Sequence, residues 1–277
     1  MPTKKKNKSL LLSGPYIAWM VIFTLIPLGV VLYYALTDVE TGVFTFRNME
    51  NLVLYLPAFW RSILYSLASA LICLLIGYPV AYYMAHCKAS TQNFLYMLVM
   101  LPMCMSFLLR TLAWVGLLQD TGIINTFLGK LGIGPIKMIR TPGAVILGMV
   151  YNYLPYMILP LYSIIVKIDS RLIEAAEDLG CTPTQVFSRV VLPLSMPGIL
   201  TGITMVFVPA VSTFYISNKL GSTETIMIGD IIERQFKQGD NANMGAALSL
   251  LLMLLVFVCT GIINRFGGND EEGAVIL

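Results

Sequence analysis

From Leu10 to Leu36 no residue carries a charge. A run of that length exceeds what a buried core helix needs and suits the ~20 apolar residues that cross a hydrocarbon layer. Five further runs qualify, at Trp60–Ala85, Phe94–Leu118, Gly143–Val166, Pro197–Ser217 and Met244–Asn264. The chain therefore reads as all-α and polytopic, with six transmembrane helices crossing a lipid bilayer and residues 1–277 forming one transmembrane domain. Composition agrees, because 57% of residues are hydrophobic and only 12% charged, about half the charged share of a soluble domain. The net charge of +3 is too small to point to nucleic acid.

Metal and disulfide chemistry find little support. Cys73, Cys87, Cys104, Cys181 and Cys259 form no C-x-x-C pair, and His86 is the single histidine, with only the adjacent Cys87 nearby. The basic tail 1–9 contains Lys4, Lys5, Lys6 and Lys8 ahead of the first run. That run is too long for a signal-peptide core and has no evident small-residue cleavage site, so it reads as a retained anchor. Lysines and arginines divide almost evenly between the two sides of the bundle. The clustered amino-terminal lysines then decide, placing both termini and the loops 87–93 and 168–196 in the cytoplasm.

Proline recurs within the spans, at Pro27, Pro79, Pro102, Pro155, Pro160 and Pro209. Each removes a backbone hydrogen bond, so kinks or local unwinding are expected, in a bundle that moves or encloses a cavity. Between the third and fourth spans, Ile123, Ile124, Phe127, Leu128 and Leu131 recur at helical spacing and predict a short interfacial helix. Thr141-Pro142 supplies an N-cap and a first-turn proline for the fourth span.

The polar stretch from Ser170 to Gly198 predicts a helical hairpin. Asp169 or Ser170 caps a first helix that ends at Gly180, a residue suited to the left-handed position beyond a C-terminus. Thr182-Pro183-Thr184-Gln185 forms a capping box for a second helix, expected to stop near Leu192 because Pro193 follows. Leu172, Ala176 and Leu179 make an apolar stripe with Ala175 beside it, while Glu174, Glu177 and Asp178 share the other side. Phe187, Val190 and Val191 give the second helix an apolar face. From pattern alone, a docking knob and a merely solvated hairpin are both open readings.

Glu174-Ala175-Ala176, Asp178-Leu179-Gly180, Leu192-Pro193 and Pro197-Gly198 resemble the EAA loop of permease subunits of ABC importers. Arg110–Asn125, Thr141–Tyr162 and Pro209–Ser222 are similar to the spermidine/putrescine type of that family. The resemblance implies a type I importer permease fold and import of a polyamine. It also implies a second homologous permease, a cytoplasmic ABC ATPase dimer and an external polyamine-binding protein. Glu174, Ala175, Ala176, Asp178 and Gly180 then carry the ATPase coupling, in a cytoplasmic inner-membrane protein.

The residues are consistent with that division of labour. Gly129-Lys130 is followed by Leu131 and lacks the upstream glycine of a phosphate-binding loop, so ATP belongs to the partner ATPase and no cofactor is expected on this chain. No acid lies within a predicted span, which disfavours an ion-coupled secondary carrier. A permease for iron, thiamine, sulfate or a similar small substrate is the nearer alternative. Arg110 is the clear intramembrane charge, open to a role in substrate selection or in pairing with carbonyls or a neighbouring subunit. Trp114, Tyr151, Tyr153 and Tyr156 either belong to an interfacial belt, for which Tyr151 and Tyr156 lie deep, or offer aromatic faces to a cation. Ile203, Phe207, Ala210 and Phe214 are placed by helical spacing on one face of the fifth span, either lining a path or packing.

Overall fold

A computed structural model describes residues 14–38, 42–237 and 241–266; the basic tail 1–9 lies outside them. Its architecture is all-α, with eleven principal helices labelled here in chain order. These are α1 (Gly14–Ala35), α2 (Leu56–His86), α3 (Ala89–Met100), α4 (Phe107–Leu118), α5 (Ile123–Lys130) and α6 (Pro142–Ile165). There follow α7 (Ser170–Asp178), α8 (Pro183–Val211), α9 (Tyr215–Leu220), α10 (Ile228–Lys237) and α11 (Ala242–Phe266). Six helical stretches are long and apolar enough to cross a membrane.

Proline acts in three different ways. At Pro102 the third span divides: α3 tightens into the 3-10 turn Leu101–Cys104, Met105 and Ser106 are extended, and α4 starts afresh. The expected continuous helix Phe94–Leu118 is therefore two half-helices. At Pro193 the expected stop does not occur. Phe187–Val191 widens into a π turn, with the Leu192 N–H donating to the Phe187 carbonyl, and α8 continues unbroken into the fifth span. The wider turn relieves the clash between the proline ring and the carbonyl four residues back. The same arrangement precedes Pro27, where Val21–Leu25 is a π turn and the Ile26 N–H reaches the Val21 carbonyl. Pro79, Pro155, Pro160 and Pro209 lie inside helices that show no unwinding.

Contacts group the chain into two units, Met1–Leu56 with Ile231–Leu254, and Pro57–Asp230 with Leu255–Leu277. In the first, side-chain amides secure the end of α1. Asn48 Nδ2 donates to the carbonyls of Ala35 (3.2 Å) and Thr37 (2.9 Å), and Asn243 Nδ2 donates to that of Thr37 (2.6 Å). A C-terminal carbonyl that the helix cannot satisfy internally is thus capped.

The second unit is built on α6 crossing α8. A Cβ at Gly202 would lie 2.6 Å from Met157 Sδ, and one at Gly198 would lie 3.2 Å from the Pro160 carbonyl oxygen. Gly198 and Gly202 are one helical turn apart, the small-residue spacing that lets membrane helices approach closely. Gly77 brings α2 against the same helix, its would-be Cβ 3.1 Å from Met157 Cγ. Met149, Met157 and Leu161 of α6 are completely buried at the centre of this packing.

Candidate functional site

The hairpin comes first, because its local geometry follows from its residues. Asp169 caps α7 by accepting the Arg171 N–H at 3.0 Å. The helix closes at Gly180, whose φ of +83° is the left-handed geometry glycine adopts without penalty. The Thr182 N–H donates to Gln185 Oε1 at 2.9 Å, the reciprocal half of a capping box.

The faces of α7 differ from the pattern expected. Leu172, Ala176 and Leu179 do not act as one stripe: Ala176 is buried, whereas Leu172 and Leu179 are exposed, Leu179 to 85%. Ile173 and Ala176 turn inward, so the outward apolar row is Leu172, Ala175 and Leu179. The carboxylates also divide. Glu174 and Glu177 line a cavity of about 410 Å³ with Tyr82, His86, Ile165 and Val191, and Asp178 is exposed at the hairpin tip. The register of a nine-residue helix cannot tell which of two partly apolar faces its own bundle will cover.

On α8 the apolar face is consumed internally. The Phe187 ring packs edge-on against Tyr78 and Tyr82, with centroids 5.5 and 6.0 Å away, and Val191 is buried. Just beyond Pro193, the Tyr78 hydroxyl and Ser195 Oγ share a buried hydrogen bond of 2.9 Å. The hairpin is therefore mechanically continuous with the fifth span and tied to α2. Neither this tie nor the glycine pair at 198 and 202 was singled out from sequence, although the G-x-x-x-G spacing was there to find. His86 is occupied locally, with Nδ1 2.8 Å from the Tyr82 carbonyl oxygen and its ring tilted by 38° against that of Tyr82, centroids 4.3 Å apart.

Around Arg110 the structure gathers some of the expected residues and separates others. Trp114 and Tyr151 meet edge-on at 5.4 Å, and Tyr153 and Tyr156 at 6.4 Å. Tyr153 is buried, its hydroxyl donating to the Pro209 carbonyl at 3.4 Å with Thr213 and Arg110 close by. Phe207 and Phe214 do not share a helix face. Phe207 is buried within α8, whereas Phe214 lies past the helix end at Val211, on irregular backbone, and is exposed. The spacing argument failed because the fifth span ends before Phe214. Among the described residues no group of three His, Cys, Asp or Glu stands close enough to hold a metal ion.

Buried polar residues complete this end of the second unit. Asp230 accepts from the Ser217 hydroxyl and from the Met227 N–H (3.1 Å), and Ser62 Oγ accepts from the Ile228 N–H at 2.9 Å. These hydrogen bonds hold α9 and the start of α10 against α2. Asp230 falls between apolar runs, where an acid on sequence alone reads as solvated.

A helical bundle with a capped hairpin running into its fifth span has a counterpart in a known family. Residues 77–267 match the family of binding-protein-dependent transport system inner membrane components. The chain belongs to that family. The permease is 40% identical over 254 residues to the spermidine/putrescine transport system permease protein PotB of Haemophilus influenzae, across 87% of this chain and 89% of that one. It is 36% identical to PotB of Escherichia coli K12, across 87% and 90%. Identity to the inner membrane ABC transporter permease protein YdcU of the same organism is 30%, across 94% and 90%.

Solved structures confirm the fold. A bacterial ABC transporter importing the acidic polysaccharide alginate superposes with a TM-score of 0.80 at 18% identity, covering 95% of the permease and 96% of that chain. The MetNI methionine ABC transporter gives 0.61 at 19% identity, over 79% and 96%. At such identities the likeness concerns architecture: the permease has the type I ABC importer fold and is a multi-pass inner-membrane protein.

Proposed function

We propose that this permease forms half of the import path for a polyamine, delivered by an external binding protein and driven by a cytoplasmic ATPase dimer. A second, homologous permease supplies the other half. The observation that carries the substrate class is the 36–40% identity, over 87% of the chain, to relatives named as spermidine/putrescine permeases. The chain has no phosphate-binding loop of its own, so hydrolysis falls to the partner. The ATPase seats on α7, whose outward row of Leu172, Ala175 and Leu179 beside Asp178 is an apolar knob with a charged rim. Buried Ala176 packs that knob against the bundle, Glu174 lines the cavity beside it, and Gly180 sets its end. Because α8 is one helix from Pro183 to Val211, movement at the knob is carried directly into the fifth span. Both termini lie in the cytoplasm.

The path runs along Arg110, Trp114, Tyr151, Tyr153, Tyr156 and Phe214, with Phe207 packing behind it. The aromatic rings give the methylene segments of a polyamine apolar contact and its ammonium groups π faces worth ~0.5–2 kcal/mol each. Weak contacts suit a path whose capture step is performed elsewhere. The test is reconstitution of the complete transporter with its binding protein, followed by uptake of radiolabelled spermidine and putrescine. ATP-dependent accumulation of at least one is expected. Accumulation of neither, with uptake of sulfate instead, overturns the substrate assignment.

A further inference from the structure

Two shortages of hydrogen-bond acceptors meet at the start of α4. The first is on Arg110, a residue only 6% exposed whose Nε and Nη1 are buried and have no hydrogen-bond partner. A guanidinium is a planar fork of N–H donors with no acceptor, so its burial leaves those donors in want of acceptors. The second is the helix terminus itself. Ser106 at the N-cap gives no side-chain hydrogen bond, and the Arg110 N–H is the first to find a backbone acceptor, the Ser106 carbonyl at 3.1 Å. The amides of Phe107, Leu108 and Leu109 precede it without acceptors, at the positive end of a twelve-residue helix.

Both sets of donors belong to the same end of α4, since side chains on a helix lean towards its N-terminus and Arg110 stands in the second turn. The surroundings suit a polar occupant. α4 begins at the break in the third span, and Phe107 packs at 6.3 Å on Tyr215, the first residue of α9, just after the irregular backbone that follows the end of α8. Irregular backbone within an apolar stretch persists where protein or a water-filled cavity satisfies it. Tyr153 and Thr213 bring hydroxyls to the same neighbourhood.

We propose that Arg110 and the N-terminus of α4 form a binding site for one compact monovalent anion, either free chloride or a carboxylate contributed by the second permease. The anion accepts from the guanidinium edge and the first-turn amides. It leaves a polycation in the path facing a neutralised wall rather than a bare like charge. The site rests on the geometry of this chain and not on the polyamine assignment, and its test reads stability rather than transport.

Thermal unfolding is followed for the assembled transporter, in sodium gluconate and then in sodium chloride or bromide at equal ionic strength. With a free anion in the site, wild type gains a few degrees with halide, saturably, because a ligand of the folded state alone stabilises it. Arg110→Gln then loses that gain, and Arg110→Lys, which keeps the charge but not the fork, moves the halide midpoint roughly tenfold higher, the worth of one charge-assisted hydrogen bond. With a partner carboxylate in the site, wild type shows no halide response and Arg110→Gln loses the second permease on purification. An equal halide response in wild type and Arg110→Gln, or no response in wild type with the second permease retained by Arg110→Gln, overturns the site.

Discussion

Gly180 sets the end of α7, the helix on which ATPase docking is proposed. Nothing lies within 4 Å of where its Cβ would stand, so a side chain there meets no steric obstacle from its neighbours. Only its φ of +83° resists substitution. A β-branched residue in that conformation is strained by ~1–2 kcal/mol. Gly180→Val is therefore expected to uncouple the transporter, with substrate-stimulated ATP hydrolysis of the reconstituted complex falling severalfold. Gly180→Asn should retain most of it, because asparagine tolerates the left-handed region. Equal loss in both variants would mean that open space at this position, and not backbone conformation, is what docking requires. The Tyr78–Ser195 hydrogen bond ties α2 to the start of the fifth span. Tyr78→Phe removes a buried hydrogen bond worth about 0.5–1.5 kcal/mol and leaves Ser195 Oγ its bond to the Leu192 carbonyl. A small drop in unfolding temperature is expected, with a rise in ATP hydrolysed per substrate imported.

Between elements, the decisive contact is α6 against α8. The two glycines there face different obstacles. At Gly202 the nearest atom is the end of a flexible Met157 side chain, whereas at Gly198 the Pro160 carbonyl and the branched Ile164 stand close together. Gly202→Ala should be absorbed by a methionine shift at a cost below ~1 kcal/mol, while Gly198→Val should cost about 1–3 kcal/mol through overpacking. Unfolding followed by intrinsic fluorescence in detergent would rank the two. The reverse ranking would show that the helices can slide apart at the glycine pair. The π turns ahead of Pro27 and Pro193 belong to the same scale. In both, a proline that would end a helix is accommodated by widening the turn before it, so α8 runs from the hairpin into the fifth span as one helix.

For the whole chain, the orientation in the membrane is the statement most open to a direct experiment. If the proposed orientation holds, with both termini inside, Cys87 and Cys181 face the cytoplasm, and Lys130 and Lys219 face outside. Single-cysteine variants treated with an impermeant thiol reagent in intact cells should react at Lys130→Cys and Lys219→Cys. Cys181 should react only after the membrane is opened. Labelling of Cys181 from outside, with none at position 130, would invert the bundle and remove the ATPase from α7. Ile123, Phe127 and Leu131 stand exposed along and just beyond α5, while Asn125 anchors that helix to the Ile136 backbone in both directions, at 3.0 Å. An exposed apolar row held at the end of a span suits a membrane interface.

The elements that could be read from residues alone are those whose signal is local. Six uncharged or nearly uncharged runs announce six crossings, since lipid leaves an apolar stretch of that length few alternatives. Caps at Asp169, Thr141 and Gln185, and the helix end at Gly180, depend on chemistry within four residues, and they stand where the sequence placed them. Tertiary structure decided what depends on neighbours. Whether a proline breaks a helix, as at Pro102, or passes through a widened turn, as at Pro193, turns on what the next helix can pack and satisfy. The covered face of α7, the separation of Phe207 from Phe214 and the unmet donors of Arg110 are likewise outcomes of packing. A single strand of letters records which groups a residue carries, but the partners of a buried group arrive from distant parts of the chain.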